Sequence, residues 1–127
     1  MQHQPRFLEL IESIRPSIKE IDANDLASKI KAGEAFTLID VREAAEYAQG
    51  HLPQAISLSK GILERDIEQV VRDSNSPIIV YCSGGFRSAL AAYNLQKMGY
   101  QHVLSLSKGS RHWQALNLAW VKLSADE

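Results

Sequence analysis

Four consecutive apolar residues, Ile78-Ile79-Val80-Tyr81, lead into Cys82, then Ser83-Gly84-Gly85, and a helical pattern opens at Arg87. An unbroken apolar run of this length reads as a strand buried on both faces, as in parallel sheets covered by helices. A strand that feeds a helix through a tight glycine-containing loop is the building unit of α/β folds. The same geometry puts Cys82 at a special electrostatic position. The two glycines can adopt φ > 0 and turn successive amides inward. The helix start offers unpaired N–H donors and the positive end of its dipole. All of these dipoles favour the thiolate over the thiol.

The rest of the chain repeats the alternation. Residues 5 to 15 predict an amphipathic helix, with Phe7, Leu8, Ile11 and Ile14 on one face, Pro5 in the first turn and Pro16 after the end. Such a helix either packs on its own domain or serves as a docking or dimerisation element. Residues 18 to 21 predict a short strand, and Asp22, with Asp25 three residues on, an N-cap. Ala23, Leu26, Ala27 and Ile30 then mark a helix face that ends at Gly33. Residues 36 to 41 read as a buried strand, 42 to 49 as a short helix stopped by Gly50, and 55 to 58 as another strand. Ile62, Leu63, Ile67, Val70 and Val71 mark a helix facing the sheet, and residues 74 to 77 a turn. The helix from Arg87 to Met98 carries Ala89, Ala91 and Ala92 for close approach to a sheet and closes at Gly99. A last strand over 102 to 106 and a short helix over 109 to 116 follow, with Asn117 able to take a left-handed conformation. The pattern predicts an α/β fold with a central, mostly parallel sheet flanked by helices.

A chain of 127 residues suits a single core, and 45% hydrophobic with 23% charged residues is ordinary for a globular domain. A net charge of −1 argues against nucleic acid or an anionic membrane surface as partner. The single cysteine excludes an internal disulfide. The first residues lack the apolar stretch of a signal peptide, and no segment reaches the length of a membrane span. The expected setting is reduced and cytoplasmic.

Ligands of open parallel sheets sit beyond the carboxyl ends of the strands. Cys82, ending the most apolar strand, is therefore the candidate nucleophile, and Asp40, ending another, is expected near the same edge. The competing reading makes Cys82 a small buried hydrophobe. Loop length separates two cysteine chemistries. Cysteine-dependent phosphatases place one more residue between cysteine and arginine than the four that separate Cys82 from Arg87. The shorter loop resembles the active-site loop of rhodanese-like sulfurtransferases. Asp40-Val41-Arg42 and Glu46-Tyr47-Ala48-Gln49-Gly50-His51-Leu52-Pro53-Gln54-Ala55 are similar to the upstream signature of that family, and Lys108-Gly109-Ser110-Arg111-His112-Trp113 to its downstream element. The departures are Gln54 and Lys108 at positions usually held by glycine, and Asn117-Leu118-Ala119-Trp120 in place of Gly-Leu-Pro-Val.

The resemblance implies a three-layer rhodanese-like domain over 18–127, preceded by a helical extension over 1–17. It implies a Cys82 persulfide formed from thiosulfate or a persulfide donor and discharged to an external thiophile, cyanide or a thiol. Ser83, Gly84, Gly85, Phe86, Arg87 and Ser88 would bind the transferred sulfur through backbone amides, with Asp40 and Arg42 in support. No cofactor and no metal is implied, and a protein thiol is a possible partner. Arg87 would serve as a substrate-binding cation or as partner to an acid such as Asp40. Arg42 and Glu46, four apart, are expected to pair with each other. Lys108 and Arg111 are expected at the pocket border, as solvated charges or as attractors of anionic donors. His51 reads as a hydrogen-bonded structural residue, and Trp113 and Trp120 as packing. The alternative to an enzyme is a sulfur-carrier or persulfide-binding module that recognises a protein partner. A phosphatase ranks third.

Overall fold

The structure, a computed structural model, describes residues 3–122; Met1, Gln2 and residues 123–127 of the two expected spans lie outside the described residues. The chain runs α1 (Pro5–Ile14), a 3-10 turn (Arg15–Ser17), β1 (Glu20–Ile21), α2 (Ala23–Lys31), β2 (Thr37–Asp40), α3 (Ala44–Gln49), β3 (Ile56–Ser57), α4 (Lys60–Val70), β4 (Ile78–Tyr81), α5 (Phe86–Lys97), β5 (Val103–Leu106) and α6 (Gly109–Ala115). The five strands form one sheet in the order β1-β5-β4-β2-β3, with every pair parallel. β4 is the middle strand and all four of its residues are buried, as a strand covered on both faces requires.

Alternation along the strands sends successive side chains to opposite faces, so the sheet carries two cores. On one face Ile39, Ile78 and Val80 meet Ile14, Leu63, Ile67, Ala89, Ala92 and Leu95 from α1, α4 and α5. On the other, Leu38, Ile79 and Tyr81 meet Leu26 of α2 and Trp113 of α6. Three layers result. Because all strands run the same way, the loops after β2, β4 and β5 emerge along one edge, where the site is built.

Asp22 caps α2 as predicted, its Oδ1 accepting from the Asp25 N–H at 2.8 Å. α1 packs against α5 with Ile11 and Ile14 buried, the domain-packing arrangement of the two considered; Leu8, expected on the inner face, is exposed. In α4 the buried face is Leu63 and Ile67, continued by Val71, a single i, i+4, i+8 stripe; Ile62 and Val70, expected to face the sheet, stand off it and are exposed. The helix expected from Arg42 begins at Ala44, leaving Arg42 in a bend before the Glu43 N-cap. Gln54 and Lys108 take φ of 60° and 63° at the positions where glycine is usual, and Asn117 takes 57°. Beyond Asn117 the chain is anchored by the Trp113 indole N–H, which donates to Ala119 O at 2.8 Å, and by an antiparallel bridge between His51 and Val121. Among the described residues no helix is long and apolar enough to cross a membrane.

Candidate active site

Gly85 closes the loop after β4 and caps α5 at φ +92°; a Cβ there would stand 3.0 Å from the Lys108 amide nitrogen. This turn aims the Gly85 N–H at Cys82 Sγ (3.2 Å), and the Ser88 N–H, free in the first turn of α5, donates to the same sulfur (3.3 Å). The Ser88 hydroxyl lies 3.5 Å from Sγ and accepts a 2.8 Å hydrogen bond from Ser105 of β5. Cys82 is 1% exposed and lies at the floor of a cleft of about 1010 Å³ whose lining includes Ser83, Gly84, Phe86, Arg87, Lys108 and Arg111. Two backbone donors and one hydroxyl thus converge on a sulfur at the base of an open cleft.

The loop is clamped from the far side by α6. The Ser110 and Arg111 N–H groups donate to Cys82 O (2.8 Å) and Ser83 O (3.1 Å). Gly109, at φ +65°, is packed so closely that a Cβ would overlap both carbonyls. The second glycine of the downstream element is therefore kept where no side chain fits, while the first has become Lys108, whose left-handed backbone leaves its side chain exposed to solvent.

The four charges near the loop pair differently from the sequence expectation. Arg42 pairs with Asp40: Nε lies 3.0 Å from Oδ1 and Nη2 2.7 Å from Oδ2, and Nη2 also donates to Gly50 O at 2.7 Å. Arg87 pairs with Glu46, Nη1 to Oε1 at 3.0 Å, and donates to Ser83 Oγ at 3.1 Å. The expected pair of Arg42 with Glu46 is replaced, and of the two roles open to Arg87 the structure shows an ion pair with an acid, Glu46 where Asp40 was the example. The cause is the later start of α3. Arg42, outside the helix, folds back on the residue two before it, while Glu46 at N3 accepts from the Glu43 N–H (2.9 Å) and turns toward Arg87. Burial opposes the charge of Glu46, yet hydrogen bonds from Arg87 and the Glu43 amide hold its carboxyl below the usual range. Burial likewise opposes the charge of Arg87, and Glu46 more than restores it.

Asp40 is fully buried, and its register partner Tyr81 donates to it at 2.7 Å. The Tyr81 oxygen also accepts from the Leu52 N–H at 3.1 Å. Burial, reinforced by the Asp40 charge, pushes the Tyr81 hydroxyl far above the phenol range, so it is a permanent donor. None of the hydrogen bonds of Asp40 or Arg42 reaches Cys82. Tyr81 and Cys82 point to opposite faces, so Asp40 and Arg42 hold the strand that carries the cysteine through Tyr81 and the backbone and do not touch the sulfur. His51 is held by its Nδ1–H, which donates to Leu52 O at 2.7 Å, and by stacking of its ring on Tyr47 at 4.0 Å.

Sequence reasoning missed Ser105, although a serine in the apolar run Val103-Leu104-Ser105-Leu106 was a visible signal of a buried polar partner. It also missed His3, Phe7 and Arg15 in the cleft lining, and no local signal could place them there.

A parallel three-layer sheet whose central strand ends on a cysteine, with amides of the following helix turned onto its sulfur, defines a class of cysteine-loop α/β proteins. Within that class the chain belongs to the rhodanese-like domain family, whose Rhodanese-like domain profile matches residues 22–116. It is 31% identical to the thiosulfate sulfurtransferase GlpE of Coxiella burnetii over 77% of this chain and 86% of that one. It is also 31% identical to the putative sulfur carrier protein YrkF of Bacillus subtilis over 76% of its own length, which spans about half (51%) of that relative. A protein of unknown function from Rhodopseudomonas palustris, described as a possible tyrosine phosphatase, shares the fold with a TM-score of 0.83 and 26% identity, covering 94% of this chain and 97% of that one.

Proposed function

We propose that the protein is a sulfurtransferase that carries sulfane sulfur on Cys82 from thiosulfate or a persulfide donor to an external thiophile. The observation behind this reading is the pair of amides, Gly85 and Ser88, at 3.2 and 3.3 Å from Sγ in a loop with only four residues between cysteine and arginine. Such donors hold negative charge on sulfur without a separate base. The Cys82 thiolate attacks the outer sulfur of thiosulfate, an S–S bond forms to Cys82, and sulfite leaves with the electron pair of the broken S–S bond. The persulfide anion then lies among the amides of Ser83 to Ser88. Cyanide or a thiolate attacks its outer sulfur, and the Cys82 thiolate returns. The chain has one cysteine, so the acceptor is external and the cycle is ping-pong. Lys108 and Arg111, exposed at the cleft and without a salt bridge among the described residues, attract the anionic donor.

The similarity to a putative sulfur carrier protein favours one second reading, a carrier that passes its sulfur only to a protein thiol. Intact mass after brief thiosulfate treatment tests the shared step. Wild type should gain one sulfur that a reductant removes, and Cys82→Ser should gain none. Thiocyanate formation from cyanide then distinguishes the enzyme, which turns over, from the carrier, whose persulfide persists. Hydrolysis of an aryl phosphate at a rate comparable to sulfur transfer would overturn both readings in favour of a phosphatase.

A further inference from the structure

The cleft over Cys82, at about 1010 Å³, is of the size that holds an organic ligand, far beyond the needs of thiosulfate. One side of it is made by residues that precede the 22–116 family region. The rings of His3 and Phe7 lie 4.2 and 6.1 Å from that of Phe86, in the cysteine loop, and 5.3 Å from each other. The Arg15 guanidinium stands 5.7 Å from the same Phe86 ring. Phe7 is carried on α1, which packs against α5 with Ile11 and Ile14 buried. The wall is continuous with the floor that holds Cys82, and the exposed cations Lys108 and Arg111 also line the cleft.

We propose that His3, Phe7 and Phe86 form the contact wall for the organic group of the sulfur donor, so that His3 and Phe7 are specificity-determining residues. The favoured donor is an anion whose sulfane sulfur is carried on a flat, apolar or aromatic group, with its charge drawn by Lys108 and Arg111. This inference rests on the sulfur-transfer reading. Aromatic faces at these spacings prefer tilted or offset contact with another ring, and a phenyl group inserted beside Phe86 meets such faces at once.

A matched pair of donors isolates the effect. Benzenethiosulfonate and methanethiosulfonate share the reacting group and charge. In both, the Cys82 thiolate takes the outer sulfur, the S–S bond breaks, and the sulfinate leaves with its electron pair. The quantity read is the ratio of kcat/KM for the phenyl donor to that for the methyl donor. Intrinsic leaving-group reactivity cancels when this ratio is compared between variants. Phe7→Ala should lower it about three- to tenfold, as loss of one aromatic contact implies. His3→Ala should lower it less. Leu10→Ser, on the exposed outer face of α1, should leave it unchanged. If Phe7→Ala does not fold, Phe7→Leu keeps bulk without the ring and should still lower the ratio. A ratio unchanged in both the Phe7 and His3 variants overturns the wall alone. Failure of the wild type to acquire sulfur from either donor overturns the sulfur-transfer reading, and the wall with it.

Discussion

Gly109 and Ser88 show how closely single residues are held around the cysteine. Gly109 combines φ +65° with no room for a Cβ beside the Cys82 and Ser83 carbonyls. Gly109→Ala should therefore cost more than about 1 kcal/mol, the threshold for an alanine forced to positive φ. Urea unfolding measures this, and sulfur loading by thiosulfate should fall with it because the loop's clamp opens. Ser88→Ala keeps the amide on Sγ but leaves the buried Ser105 hydroxyl without its acceptor. A loss of about 1–3 kcal/mol is expected for that unpaired group. Equal stability of the variant and wild type would show that Ser105 finds another partner.

At the scale of elements, the start of α3 decides which charges meet. Glu46, at N3, serves both the α3 N-terminus and Arg87 over the cysteine loop. Its carboxyl is held below its ordinary value of 4.5, so the contribution to stability is present above that value and lost as pH falls through the lower folded one. Glu46→Gln should flatten the acid limb of a plot of Tm against pH below 4.5. The first turn of α6 gives a second test. Reversing charge at both Lys108 and Arg111 should raise KM for thiosulfate several-fold at low salt, with the difference shrinking as salt is added. An unchanged KM rejects their role in attracting the donor.

Across the whole molecule, the buried Asp40–Arg42–Tyr81 network ties β2 to β4 and to the backbone at Gly50 and Leu52. Removing one charge strands the other in the core, so Asp40→Ala should destabilise by about 3–5 kcal/mol. Thermal unfolding reads this directly. The double variant Asp40→Ala/Arg42→Met should recover part of the loss, because no unpaired charge remains. Much of this architecture was legible in the chain beforehand. Ile78–Tyr81 announced a strand buried on both faces, and the glycines after Cys82 announced a turn into a helix. The Asp22 cap and the left-handed Asn117 were legible for the same reason. Each depends on the residue's own backbone preferences and on burial periodicity, both of which act over a few positions.

The sequence by itself determined the strand–helix alternation, the parallel sheet and the position of the lone thiol at a strand end, because apolar spacing and turn chemistry are local. Only the tertiary structure decided the partners. Arg42 had several acids within reach along the chain, and a helix starting at Ala44 in place of Arg42 sent it to Asp40 and left Glu46 for Arg87. The same holds for the wall of the cleft, where His3 and Phe7 meet Phe86 from the far end of the sequence. Choosing among equivalent charges, or bringing distant rings together, depends on packing α1 against α5 and on the register of β2 with β4, which no short stretch of sequence encodes.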